Sequence, residues 1–262
     1  MSSDNDYSLS NCDVSRRQED EYAFPYHYLT QFSPDSFRQH VVDTWGINYA
    51  STIEFLLSKI LVRAPTSVID IGCGDGRLTR ELSRRTDGVW ICGVDYSSRA
   101  ISLAKAMNQD IPRIDFRQVD ICGETDLGLF DTAVLMEVFE HVPPPDAGAF
   151  MRGVRRLLKP QGRLHLTVPH ANKPVEYKHF RHFTVDSLVA SLGPEFDVIQ
   201  VMPFERNGGI RRRLLNMLLY NRYVILNDHR MLDLAYRWYM KNLFYCVSES
   251  ECQRIYLEAV AL

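Results

Sequence analysis

At 262 residues the chain is longer than the commonest single-domain size, yet one α/β domain with a modest insertion accounts for it without a second core. An apolar fraction of 45% and a charged fraction of 24% exclude global disorder. A net charge of −3 supplies no overall basic field, so nucleic acid is not an expected partner.

The six cysteines, Cys12, Cys73, Cys92, Cys122, Cys246 and Cys252, form no CxxC pair and read as free thiols in a reducing compartment. The N-terminus is polar and acidic, and no apolar run approaches the roughly 18 residues of a membrane span. Cytoplasmic residence is the expectation.

Residues 1–20 are rich in Ser, Asp, Asn and Arg and read as a flexible tail. Residues 21–64 read as an N-terminal cap containing Phe24-Pro-Tyr-His-Tyr-Leu and a helical run over Ile53 to Leu61 that Pro65 stops. Ser67-Val-Ile-Asp-Ile then reads as a buried strand ending in a glycine-rich turn. Strands over 88–95, 114–119, 130–136 and 163–168 alternate with helices over 78–85, 98–108 and 146–158, the last stopped by Lys159-Pro-Gln-Gly162. Two further strands fit Phe196 to Met202 and 252–262, with helical patterns around 210–219 and 231–244 between them. The rhythm predicts an α/β fold: a doubly wound, seven-stranded Rossmann-like sheet with an N-terminal helical extension and a helical insertion over 203–251, before the last strand. The core is expected over 65–202.

In a doubly wound sheet, ligands sit outside the carboxyl ends of the strands, where strand order reverses. The turn there is Val68-Ile-Asp-Ile-Gly-Cys-Gly-Asp-Gly76, in which Gly72, Gly74 and Gly76 let the backbone bend sharply and approach a ligand. Asp95, at the end of the next strand, is spaced to accept both hydrogen bonds of a ribose diol. A dinucleotide turn shares that spacing. Asp70, however, precedes the first glycine and suits an ammonium or sulfonium ligand better than a pyrophosphate.

Four strand ends in order, Asp70 to Gly76, Asp95, Asp120-Ile-Cys and Glu137-Val-Phe-Glu-His-Val-Pro143, resemble the class I S-adenosylmethionine methyltransferases. The resemblance covers residues 67 to about 170. It implies S-adenosylmethionine as cofactor, with the turn (Asp70, Gly72, Cys73, Gly74, Gly76) holding its methionine part and Asp95 and Tyr96 its ribose. Asp120 and Ile121 would meet the adenine edge, and Glu137 would complete the set. A solvated turn is the alternative for Asp120, and packing residues are the expectation for Cys73 and Cys122.

Glu137, Glu140 and His141 at the fourth strand end, with His179 and His182 from the loop after the fifth, give three readings. His141 is a general base for an acceptor hydroxyl. Alternatively Glu137, Glu140, His141 and one of His179 or His182 hold a divalent metal, a pattern similar to small-RNA terminal 2′-O-methyltransferases and quinone-pathway O-methyltransferases. In the third, Glu140 caps a helix and His141 packs beneath it. His27, His40 and His229 are expected to be ordinary packing or surface residues and His165 a core residue.

Phe24-Pro-Tyr-His-Tyr-Leu and the aromatics of the insertion, Tyr220, Tyr223, Tyr236, Trp238, Tyr239, Phe244 and Tyr245, suggest either a lid or a hydrophobic seam or dimer contact. Arg211-Arg-Arg213 within 210–225 is a candidate contact for a phosphate-bearing substrate or an anionic membrane surface. The expected activity is methyl transfer to a hydroxyl of a small-molecule acceptor, with a sugar or glycan intermediate ahead of aromatic and lipid acceptors. RNA 2′-O-methylation with a metal, and a non-catalytic S-adenosylmethionine-binding interaction module, are the alternatives.

Overall fold

The computed structural model describes residues 31–33, 36–38, 44–111, 113–219, 223 and 228–262. The tail over 1–20, the segment Phe24 to Leu29 with His27, and Cys12, His40 and Tyr220 lie outside them. A short antiparallel pair, β1 (Gln31–Ser33) and β2 (Ser36–Arg38), precedes the long helix α1 (Thr44–Leu61).

The alternation of short apolar runs with helical patterns builds one seven-stranded sheet. Its members are β3 (Ser67–Ile71), β4 (Trp90–Asp95), β5 (Ile114–Gln118), β6 (Phe130–Met136), β7 (Leu158–Pro169), β8 (Phe196–Arg206) and β9 (Cys252–Ala261). Their spatial order is β5-β4-β3-β6-β7-β9-β8. The first five pair in parallel, and β9 runs antiparallel to both β7 and β8. The sheet and its helices are those of the expected Rossmann-like class.

Because strand side chains alternate between faces, each strand feeds two cores. Ile69, Ile71, Leu164, Leu166, Ile255 and Leu257 pack with Phe150, Met151 and Val154 of α4 (Ala147–Arg156) and Leu188 of α5 (Val185–Ser191). Val68, Val134, Phe204 and Tyr256 point the other way, against α1 and α2 (Arg77–Arg84). α3 (Ser98–Met107) closes the β5 end, where Ile101 and Ala104 meet Phe116.

Two strands begin or end elsewhere than the sequence predicts. Lys159-Pro-Gln-Gly162 does not precede the fifth strand: β7 starts at Leu158, and these residues form a bulge between the pairs Phe130↔Leu158 and Thr132↔Arg163. Pro203 does not end β8, because at the sheet's edge a residue without an N–H is tolerated, and pairing with β9 continues to Arg206.

The insertion contains α6 (Gly209–Leu219), α7 (His229–Tyr239) and a π-type turn over Met240–Phe244. Phe244 stands 5.7 Å from Phe55 of α1, which meets Tyr256 edge-on at 4.9 Å. Tyr239 is fully buried, and its hydroxyl accepts from Asn48 at 2.8 Å. Tyr239 and Phe244 therefore belong to the seam against α1, whereas Tyr223, Trp238 and Tyr245 are exposed. Among the described residues no helix is long and apolar enough to cross a membrane.

Candidate functional site

β3 lies between β4 and β6, so the reversal of strand order falls at the end of β3, where the glycine turn begins. A cavity of ≈ 300 Å³ opens there. Its walls include Gly72 after β3, Asp95 and Tyr96 after β4, Asp120 and Ile121 after β5, and His141 after β6. Residues from all four motifs thus share one cleft. The apolar wall, which includes Val138, Val142, Pro143 and Phe150, was not singled out in the sequence, because such residues look like ordinary core.

The turn is held by its own amides. Gly72 N–H and Cys73 N–H both donate to the Val94 carbonyl, at 2.7 and 3.0 Å. Gly72 has φ +73°, and a Cβ there would meet Val138 Cγ2 at 2.6 Å, so glycine is required twice over. Gly76, at φ +79°, yields its space to Phe116 and Asn108 instead, a packing role rather than contact with the cleft.

Asp95 is buried, with Oδ2 accepting from Gly74 N–H at 3.1 Å and Oδ1 from Ser97 N–H at 2.9 Å. Each carboxylate oxygen retains further acceptor capacity, which a ribose diol can use. Asp70 is not in the cavity wall. It lies beneath the turn, accepts from Thr79 Oγ1 at 2.6 Å, and is pushed up to about 7, chiefly by burial. Cys73 is also buried outside the wall, its thiol raised by burial. Asp120 accepts from Cys122 N–H at 2.9 Å, forming the turn expected of the bland alternative while still lining the cleft.

Beyond β6, the chain brings Glu140, His141 and His179 together, one ligand atom from each lying within 4.8 Å of the others. Glu140 is fully buried, and neither carboxylate oxygen has a hydrogen-bond partner among the described residues. Burial, with Glu137's charge second, drives its pKa well above the usual carboxylate range. His141 Nδ1 lies 3.1 Å from the Lys178 carbonyl, so Nδ1 carries the proton and Nε2 the lone pair. His182 Nδ1 meets the Lys173 carbonyl at 3.0 Å, and its Nε2 accepts from His179 Nδ1 at 2.8 Å, leaving Nε2 of His179 as an acceptor. Desolvation lowers His141 to about 4 and His179 to about 3, so both rings are neutral near pH 7.

Glu137 sits apart from this trio. It has φ +57°, and its Oε2 accepts from Arg254 Nε at 2.8 Å. Arg254, in β9, also donates to Asn48 Oδ1 at 2.6 Å and to Glu205. Glu205 has the same φ of 57°. Sequence reasoning missed Arg254, since no local pattern joins it to Glu137. His182 likewise acts behind His179 rather than beside Glu140. His165 is buried, 2.9 Å from the Tyr256 hydroxyl, as expected of a core residue.

The parallel sheet with one reversed strand and a glycine turn at its switch point is a Rossmann-like methyltransferase fold, shared with the solved structures named below. Residues 68–162 match the family described as a methyltransferase domain. Ubiquinone biosynthesis O-methyltransferase of Acinetobacter baumannii (strain ACICU) is 27% identical over 144 residues, 53% of this chain and 54% of that protein. The chain thus spans about half the length of the curated relatives it matches. The N-methyltransferase NodS from Bradyrhizobium japonicum WM9, in complex with S-adenosyl-l-homocysteine, has a similar fold. Its TM-score is 0.61 at 13% identity, covering 95% of this chain and 98% of that one. Magnesium protoporphyrin IX methyltransferase from Synechocystis PCC 6803, with bound S-adenosylmethionine, gives 0.59 at 15% identity over 98% and 99%.

Proposed function

We propose that the protein transfers a methyl group from S-adenosylmethionine to a hydroxyl oxygen of a small molecule, with a sugar or glycan intermediate as the first acceptor to try. One observation carries the acceptor side: His141 lines the donor cleft and also belongs to the trio with Glu140 and His179. An acceptor between them lies beside the donor's methyl group.

S-adenosylmethionine supplies an electrophilic methyl on a sulfonium. Asp95 accepts the ribose hydroxyls, Asp120 and Ile121 border the adenine, and the turn backbone approaches the methionine part. The carboxylates of Asp95 and Asp75 lie close enough to raise the affinity of Asp70 for a proton, a field that favours a cationic ligand. His141 Nε2 takes the acceptor's proton as its oxygen bonds to the methyl carbon and the carbon–sulfur bond breaks, leaving S-adenosylhomocysteine.

A second reading of the trio is a divalent ion held by Glu140, His141 and His179. It is supported by Glu140, whose two buried carboxylate oxygens lack partners among the described residues, and by the carbonyl of Lys178 and the ring of His182, which fix the two histidine tautomers as outer-sphere groups do around metals. The ion would lower the pKa of the acceptor hydroxyl. His141→Ala should leave S-adenosylhomocysteine affinity within about twofold and lower kcat on hydroxyl acceptors by roughly 10²- to 10⁴-fold. Metal content measured on the parent and on Glu140→Gln separates the readings: metal in the parent and none in the variant favours the ion. Unchanged turnover in His141→Ala would remove this residue from the chemistry.

A further inference from the structure

We propose that the outer face of the α6–α7 insertion is a docking surface for an anionic lipid bilayer. Each helix carries two apolar stripes. The inner ones, Leu215 with Leu219 and Ala235 with Tyr239, are buried in the core shared with α1. The outer ones repeat at helical spacing yet face water. Leu214 and Leu218 on α6, and Met231, Leu234 and Trp238 on α7, are between 39% and 62% exposed. A solvated helix carries polar groups on that side. Here the stripes line a groove of ≈ 700 Å³ instead.

An apolar groove does not name its occupant; the surrounding charge does. Over residues 209–241 the described positions hold six arginines and lysines against two aspartates, in a chain whose net charge is −3. Arg212 turns inward to Glu205 at 2.9 Å, and Arg237 pairs with Asp233. Arg211, Arg213, Arg230 and Lys241 are exposed, with no carboxylate partner among the described residues. Aliphatic side chains and a tryptophan bordered by unpaired cations are the composition of a helix pair lying in a lipid headgroup region. A second copy of this chain fits less well, because a two-fold contact would set like-charged rims against each other.

The test is co-sedimentation of the full chain with vesicles of phosphatidylcholine alone or with about one-third phosphatidylglycerol, at low and high salt. The chain should pellet with the anionic vesicles only and be released by salt. Arg211→Glu with Arg213→Glu should weaken partitioning by at least roughly tenfold without changing the melting temperature. Leu214→Asp with Leu234→Asp should abolish it. The charge pair, on exposed positions, keeps the test valid if the apolar pair misfolds. Failure to pellet with anionic vesicles, or pelleting that survives the charge pair, overturns the proposal. So does a solution dimer that Leu234→Asp dissociates, which would assign the face to a second copy.

Discussion

At Arg254 one side chain holds together four parts of the molecule. Its guanidinium joins Glu137 at the end of β6, Glu205 in β8 and Asn48 in α1, and Asn48 in turn donates to Tyr239 of the insertion. Arg254→Met would remove the guanidinium from half-buried Glu137 and leave buried Glu205 with Arg212 alone, each glutamate at a backbone φ of 57° that disfavours side chains. We expect a loss of about 3–5 kcal/mol in denaturant-monitored unfolding. A loss below about 1 kcal/mol would mean that water replaces the guanidinium. None of this was legible from the sequence, where Glu137 reads as a companion of Glu140 and His141. Neighbours in sequence advertise proximity, whereas a partner 117 positions away does not. Asp95, Asp120, Ile121 and His141 were legible, because each ends or follows a strand whose apolar run is visible and whose parallel neighbours bring those ends to one edge.

At the scale of elements, β7 shows how burial converts a titratable group into a pH-dependent term. His165 is held to about 3, mainly by desolvation, against an ordinary value of 6.5. Between those values the unfolded chain holds a proton that the folded chain refuses. The stability contributed by keeping the ring neutral is therefore present above about pH 6.5 and is lost as pH falls. The melting temperature of the parent should drop more between pH 7 and pH 4 than that of His165→Gln. The other shifted groups, Asp70, Glu140, His141 and His179, are common to both proteins and cancel in the comparison. Parallel pH profiles would show that Tyr256 accommodates the charged ring. The strand carrying His165 was legible, but its start was not. Lys159-Pro-Gln-Gly162 has the composition of a turn, and only the register with β6 reveals it as a bulge. Pro203 misled in the same way, since its place on an edge strand is a fact of topology.

At the scale of the whole molecule, a common core and a particular set of additions divide the work. The core from β3 to β7 supplies the cleft that we assign to the donor, and its motifs stand in order along the sequence. The insertion combines an inner seam, a link to Glu137 through Tyr239, Asn48 and Arg254, and an outer apolar face with a basic rim. Its aromatics alone could not separate lid from seam, because burial depends on where α1 lies. The central claim is donor binding through the strand-end residues. Calorimetric titration with S-adenosylhomocysteine of the parent and of Asp95→Ala tests it most directly. We predict saturable binding to the parent and an affinity weaker by roughly 10- to 100-fold in the variant, the value of hydrogen bonds to a charged group. Equal affinity in the two proteins, or no binding to the parent, would contradict the account.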